Sequence, residues 1–258
     1  MRLAVFSDIH GNLAALEAVL ADMERAGSID RWWCLGDLAA HGPRPAECLA
    51  RLRALREQHG KEVFQVIGGN TDRYLVTGER FPLPAVTDAA LLPARAQSLA
   101  TRDRVLNWNV SVLSYADYEF LAQIIGRELQ QRVEGYGTLI GFHAIPGNDE
   151  SLSLLPATPE EEAHDALLDR AGRLALAGHT HQVMDRTLQA WRVINPGSVG
   201  MSLTQHGYAE WALLTVTGDG AEVDFRAVPY DVAAVIADAR VAGHPDPDWL
   251  ADWLRTTA

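Results

Sequence analysis

Leu3-Ala4-Val5-Phe6-Ser7-Asp8-Ile9-His10-Gly11-Asn12 opens the chain with an apolar run that ends in a carboxylate, an imidazole, a glycine and an amide. Residues 3–7 read as a buried strand. Residues 12–26 read as an amphipathic helix, with Leu13, Leu16, Val19, Leu20 and Met23 at helical spacing and Gly27 as its stop. Strand, polar tip and helix together form the repeating unit of α/β folds, whose ligands sit at the carboxyl ends of strands. Side chains alternate along an extended chain, so Asp8 and His10 point the same way and can reach one ion.

The unit recurs. Residues 32–35 form a second strand that runs into Gly36-Asp37, and Pro45 starts a helix over 45–59. Residues 63–67 form a third strand, which runs into Gly68-Gly69-Asn70-Thr71-Asp72. Three polar tips of this kind converge on one place. Further on, strands at 129–133 and 138–142 lead to His143, and a helix at 159–171 precedes a strand at 174–177 that delivers Gly178-His179-Thr180-His181. Residues 193–195, 209–216 and 222–227 read as strands of a second sheet, with Gly218-Asp219-Gly220 as a turn. Helices at 231–242 and 246–254 close the chain, and their Trp249 and Trp253 are expected in the core.

Between these halves, residues 74–135 break the rhythm with Pro82, Pro84 and Pro93. This stretch reads as a cap laid over the site, since so few periodic apolar positions would not hold a core of their own. Within it, a helix at 116–125 is introduced by Ser114, with Asp117 three residues on as a capping box. The whole, 1–258, reads as one domain carrying a cap insertion.

With 48% hydrophobic and 22% charged residues, the composition is that of a soluble globular protein. No apolar stretch reaches the ~18 residues of a membrane span, and the first strand is too short for a signal peptide, so a cytoplasmic location is expected. Cys34 and Cys48 are expected to be reduced thiols, Cys34 within an apolar run. A net charge of -12 argues against extended nucleic acid as a partner and favours small phosphate esters. Of the 22 basic residues all but Lys61 are arginines, scattered along the chain rather than gathered in a stripe.

Asp8, His10, Asp37, Asn70, His143, His179 and His181 are the inventory of a two-metal hydrolytic centre. Hydrolysis of a phosphate ester needs hydroxide at neutral pH and charge stabilisation at phosphorus, and two cations supply both. Asp37 has two carboxylate oxygens with which to bridge them, and Gly36 lets the backbone bend close. Asn70 offers a neutral amide oxygen, and His179 and His181 form a two-armed ligand. Taken singly, each motif has an ordinary structural reading: a helix cap for Asp37, a turn for Gly69-Asn70, a core histidine for His143. Their occurrence together, each at a strand end, carries the assignment. Imidazole and carboxylate ligands suit manganese first, with iron or zinc as the other choices.

These residues resemble the calcineurin-like metallophosphoesterase superfamily. Asp8-Ile9-His10-Gly11-Asn12, Gly36-Asp37-Leu38, Gly69-Asn70-Thr71-Asp72, His143, Gly178-His179-Thr180-His181 and Asn195-Pro196-Gly197-Ser198-Val199-Gly200 occur in that family's order. Gly42-Pro43 after Gly36-Asp37-Leu38 is similar to its compact bacterial and archaeal phosphodiesterase group. The resemblance implies a four-layer α/β/β/α sandwich with two mixed sheets. It assigns Asp8, His10 and His181 to one divalent or trivalent ion, and Asn70, His143 and His179 to the other, with Asp37 shared. A metal-bridging hydroxide would then attack phosphorus in small phosphodiesters, nucleotides or dinucleoside polyphosphates. A metal-binding scaffold with little turnover, a protein phosphatase and a nuclease are the alternatives.

One residue departs from the pattern. The family's motif is Gly-Asn-His-Asp, and Thr71 stands where its catalytic histidine protonates the leaving oxygen. A hydroxyl donates a hydrogen bond but holds no proton near pH 7. Leaving groups that need little protonation, as in aryl diesters or phosphoanhydrides, are therefore expected, with His41 as a substitute acid. Asn12 and Arg73 are further candidates for binding the substrate phosphate, although Asn12 also stands where a helix cap belongs.

Overall fold

Side chains of β1 (Arg2–Phe6) alternate between two destinations. Leu3 and Val5 enter one apolar cluster, Ala4 and Phe6 another. In the computed structural model, which describes residues 1–255, this alternation places β1 at the centre of a five-stranded mixed sheet. On one side it pairs in parallel with β2 (Arg31–Cys34), and β2 with β3 (Phe64–Val66). The crossovers are α1 (Leu13–Arg25) and α2 (Pro45–His59). On the other side β9 (Tyr208–Val216) runs antiparallel to β1, with Leu214 opposite Leu3, and β10 (Ala221–Pro229) forms the edge.

The second sheet contains β4 (Leu129–Val133), β5 (Gly137–Gly141), β6 (Leu174–Leu176), β7 (Val183–Leu188) and β8 (Trp191–Pro196) in the order β4-β5-β6-β8-β7. Leu139, Leu174, Leu176 and Ile194 of this sheet meet Leu3, Val5, Trp33 and Leu214 of the first. The two sheets therefore pack face to face. Outside the first sheet, α1 and α2 are joined by α3 (Asn70–Thr77) and α5 (Tyr115–Ile124), which contributes Phe120, Leu121 and Ile124 to a shared core. Outside the second sheet, α6 (Glu160–Asp165) and its flanks cover Phe142, Ala175 and Val193. This is the expected four-layer sandwich with two mixed sheets.

Several elements differ from the sequence reading. The strands expected at 209–216 and 222–227 in a second sheet lie in the first, as β9 and β10, because β9 returns to zip along β1. That pairing spans about two hundred residues of sequence, and no local pattern announces it. Gly69-Asn70, whose ordinary reading is a turn, leads straight into α3, which was not anticipated, and α4 (Leu92–Ser111) occupies a stretch read as weakly periodic. Pro93 there sits in the first turn of α4, where its missing N–H costs nothing. The expected helix at 159–171 is shorter, and β7 was not anticipated. Of residues 74–135, α5 packs into the first core and β4 edges the second sheet, which leaves α4 and its preceding loop as the covering part.

Two late helices, α7 (Val232–Val241) and α8 (Pro247–Arg255), pack through Val235, Ile236, Leu250 and Leu254 onto Met201. Trp211 on β9 is fully buried and donates from Nε1 to Asp22 of α1 at 3.1 Å, tying the first sheet to its helical layer. Trp211→Ala should lower the free energy of unfolding by about 3–5 kcal/mol in urea titration. Tyr115→Ala, at a residue 78% exposed, should stay within about 0.5 kcal/mol of the parent.

Candidate metal centre

The tips of β1 and β2 are stitched together by backbone. The amides of Asp8, His10 and Gly11 donate to Gly36, Asp37 and Leu38 carbonyls, each at 2.9 Å. On the other side of β1, Val199 and Gly200 amides donate to Ser7 and Asp8 carbonyls at 3.0 and 2.9 Å, and Ser198 Oγ donates to Asp8 O at 2.8 Å. Asn195 Nδ2 donates to Gly178 O at 2.6 Å and to Thr180 Oγ1 at 3.0 Å. The 195–200 segment thus clasps the first tip to the His179 loop. This clasp holds a strained backbone, for φ is 58° at Asp8, 50° at His10, 55° at Asp37, 67° at His179 and 55° at His181. Left-handed conformation at a residue with a Cβ costs about 1–3 kcal/mol and persists only where its surroundings enforce it.

The enforced turns aim all seven expected ligands into one cluster. Ligand atoms of Asp8, His10 and His181 lie within 4.8 Å of one another, as do those of Asp37, His143 and His179. Asp37 Oδ2 stands between the groups, 3.7 Å from His10 Nε2 and 3.5 Å from His143 Nε2. Asn70 Oδ1 lies 3.1 Å from His143 Nε2. The other Asp37 oxygen accepts from the Thr71 amide at 2.9 Å, so the carboxylate cannot swing away.

The donor set fits cations. His143 Nδ1 lies 2.7 Å from Leu35 O and His181 Nδ1 2.8 Å from Met201 O, so each donates there and turns its Nε2 inward, where a proton or a cation can sit. His10 Nε2 faces His181 Nε2 at 3.0 Å, two basic nitrogens that require a proton or a metal ion between them. His179 Nε2 is buried without a partner. Burial drives His10 down to about 3 and His179 to about 4. Burial also pulls on His143, but the Asp37 carboxylate overrides it and lifts the imidazole to about 10; Asp8 likewise raises His181. Asp37 is held well below, and Asp8 below, the usual carboxylate range against burial, through His143 and His181 respectively. Buried carboxylates that recruit protons onto neighbouring imidazoles mark a cluster short of positive charge.

Thr71 and His41 line the cavity of about 180 Å³ above the cluster, together with Trp249 and Trp253. Thr71 Oγ1 and His41 Nδ1 are buried without partners. Burial takes His41 down to about 4, so at neutral pH it offers a hydrogen bond rather than a stored proton, and nearby cations would act in the same direction. Asn12 is spent on structure: its Oδ1 accepts from Ala15 N at 3.1 Å as the cap of α1, and its Nδ2 donates to Gly200 O at 3.1 Å. Arg73 is engaged by Asp149, Glu150 and Glu79 and lies outside the cavity lining.

Sequence reasoning passed over Asp72 and the two tryptophans. Asp72, fully buried, accepts from Leu38 N at 2.9 Å and Gly69 N at 3.0 Å, joining the second and third tips. Its place in Gly69-Asn70-Thr71-Asp72 was the available signal. Trp249 and Trp253, expected in the core, are half-buried: they pack against the α7–α8 cluster and also line the cavity.

Two glycines are dictated by these contacts. Gly36 has φ +104°, and a Cβ there would stand 2.5 Å from Gly69 N. A Cβ on Gly69 would stand 2.2 Å from Asp37 Oδ1 and 2.6 Å from His143 Cε1. Gly69→Ala should therefore weaken manganese binding about 10–100-fold, read by competition with a fluorescent chelator. Unchanged affinity would show that the third tip does not set the position of Asp37.

Residues 1–219 match the calcineurin-like phosphoesterase superfamily domain. An uncharacterized protein of Methanocaldococcus jannaschii is 49% identical, over 98% of this chain and 96% of its own length. The crystal structure of a hypothetical protein from Pyrococcus horikoshii superposes with a TM-score of 0.79 at 21% identity, covering 100% of this chain and 99% of that one. A metallophosphoesterase from Sphaerobacter thermophilus superposes with a TM-score of 0.70 at 23% identity, over 98% of both chains. The sandwich, the paired ligand groups and the match over most of its length make this chain a member of the calcineurin-like phosphoesterase superfamily.

Proposed function

We propose that the protein is a binuclear metal-dependent phosphoesterase acting on small phosphodiesters, nucleotides or dinucleoside polyphosphates. The observation that carries this reading is the Asp37 carboxylate, whose Oδ2 lies between two buried groups of potential ligand atoms, 3.7 Å from His10 Nε2 and 3.5 Å from His143 Nε2. Asp8, His10 and His181 would hold one ion and Asn70, His143 and His179 the other, with manganese the first choice and iron or zinc next. When bound, such a pair supplies water activation near neutral pH and charge neutralisation at phosphorus.

The chain's own residues do the rest. Leu35 and Met201 carbonyls fix the tautomers of His143 and His181. Thr71 Oγ1, with no protein partner, is free to donate to a phosphoryl oxygen at the cavity wall. Neither Thr71 nor neutral His41 holds a proton for a poor leaving group, which favours aryl esters and anhydrides over alkyl monoesters. The small cavity and the net charge of -12 favour a small substrate over extended nucleic acid. Buried, unpaired Cys34 and Cys48 suit a reducing compartment such as the cytoplasm, and no helix among the described residues is long and apolar enough to cross a membrane.

Manganese-loaded protein should hydrolyse bis(p-nitrophenyl) phosphate steadily, and Asp37→Asn should drop that rate to the level of metal-stripped protein. Metal binding and thermal stabilisation without turnover would instead identify a scaffold. Thr71→His should raise the rate on alkyl phosphomonoesters by up to about 100-fold while changing aryl diester turnover little. An unchanged monoester to diester ratio would sink the account of Thr71.

A further inference from the structure

Helix α8 lies beyond the residues that match the family, yet it roofs the candidate centre. Its Leu250, Ala251 and Leu254 supply the buried stripe that packs it onto Met201 and α7. Trp249 and Trp253, one turn apart, flank that stripe and face the cavity. Their ring centroids are 6.2 Å apart; Trp249 lies 5.6 Å from His41, and Trp253 meets His181 edge-on at 6.5 Å. Each indole packs one part against this stripe and leaves another half-open on the cavity wall beside the candidate ligands.

The space they border does not end at the cluster. His41 and Trp249 also line an adjoining groove of about 390 Å³, walled by Phe81, Leu83 and Val105 and edged by Thr101. The cavity over the cluster, about 180 Å³, has room for little beyond a phosphoryl group, whereas the groove falls within the ~300–1,000 Å³ of organic ligand sites. Both sides of this passage are anchored. His244 Nε2 donates to His41 O at 2.8 Å while its Nδ1 accepts from Asp246 N at 3.1 Å, and Arg44 at the start of α2 forks onto Asp238 of α7. The aromatic wall is therefore preset, and a flat ring is the shape that stacks on it at low entropic cost.

We propose that Trp249, Trp253 and His41 form an aromatic clamp that selects phosphoesters bearing a flat aryl or heteroaryl group, with phosphorus over the cluster and the ring on the indoles toward the groove. The proposal rests on the phosphoesterase reading and narrows its substrate class. Stacking on an aromatic side chain contributes enough to change affinity about tenfold. Trp249 and Trp253 thus act as specificity residues.

Calorimetric titration of manganese-loaded protein with phenylphosphonate and with methylphosphonate tests this without turnover. The parent should bind phenylphosphonate about tenfold or more tightly than methylphosphonate. W249A/W253A should bring the two affinities to within about twofold of each other, whatever its effect on methylphosphonate itself, and W249F/W253F should keep most of the preference. If the double alanine variant does not fold, W249A and W253A singly should each give an intermediate ratio. Equal binding of both phosphonates by the parent, or a preference that survives loss of the indoles, overturns the clamp but not the phosphoesterase reading. Binding of neither overturns both.

Discussion

Everything in this molecule answers to the burial of one carboxylate, Asp37, between two groups of basic nitrogens. A buried charge costs on the order of several kcal/mol unless it is paired and hydrogen-bonded. One Asp37 oxygen meets that demand with the Thr71 amide, and the other lies between His10 and His143. Those imidazoles are themselves buried, so their protons and lone pairs must be allotted in turn: His143 faces the Leu35 carbonyl, and His10 faces His181, which itself faces the Met201 carbonyl. The allotment closes fully only with added positive charge, which is why the cluster reads as a metal centre rather than as a core polar network.

Holding such a cluster dictates the architecture around it. Strand ends deliver backbone that is already hydrogen-bonded on both sides, so the chain can turn sharply without stranding its amides. Five candidate ligands use left-handed φ values, and the 195–200 segment, Asp72 and the β1–β2 stitching supply the bonds that enforce them. The rest of the sandwich provides stiffness: the inter-sheet layer of Leu3, Val5, Trp33 and Leu176 sets the separation between the edges that carry the ligands. Met201 connects this machinery to the end of the chain, because its carbonyl orients His181 while its side chain seats α7 and α8.

Each candidate ligand was legible because it follows a strand whose apolar run is readable from local pattern alone. The same logic failed where structure depends on distant partners. β9 and β10 were assigned to the wrong sheet since their alternation says that a face is buried, not which sheet covers it. α4 was overlooked because its apolar positions are sparse and Pro93 resembles a breaker until it is known to stand in the first turn. Asn12 and Arg73 carried the right chemistry for phosphate, and only the surroundings revealed that the first caps a helix and the second is enclosed by carboxylates.

The sequence by itself determined the inventory of candidate ligands, its order along the chain and the αβ units that carry it, because those follow from residue type and short-range periodicity. Tertiary structure alone decided the distances that set Asp37 Oδ2 between His10 and His143, the burial that holds His41 neutral and the placing of Trp249 and Trp253 on the cavity wall as well as against the core. The physical reason is common to all three. Charge allotment, desolvation and aromatic exposure are properties of what surrounds a side chain, and here those surroundings arrive from segments remote in sequence.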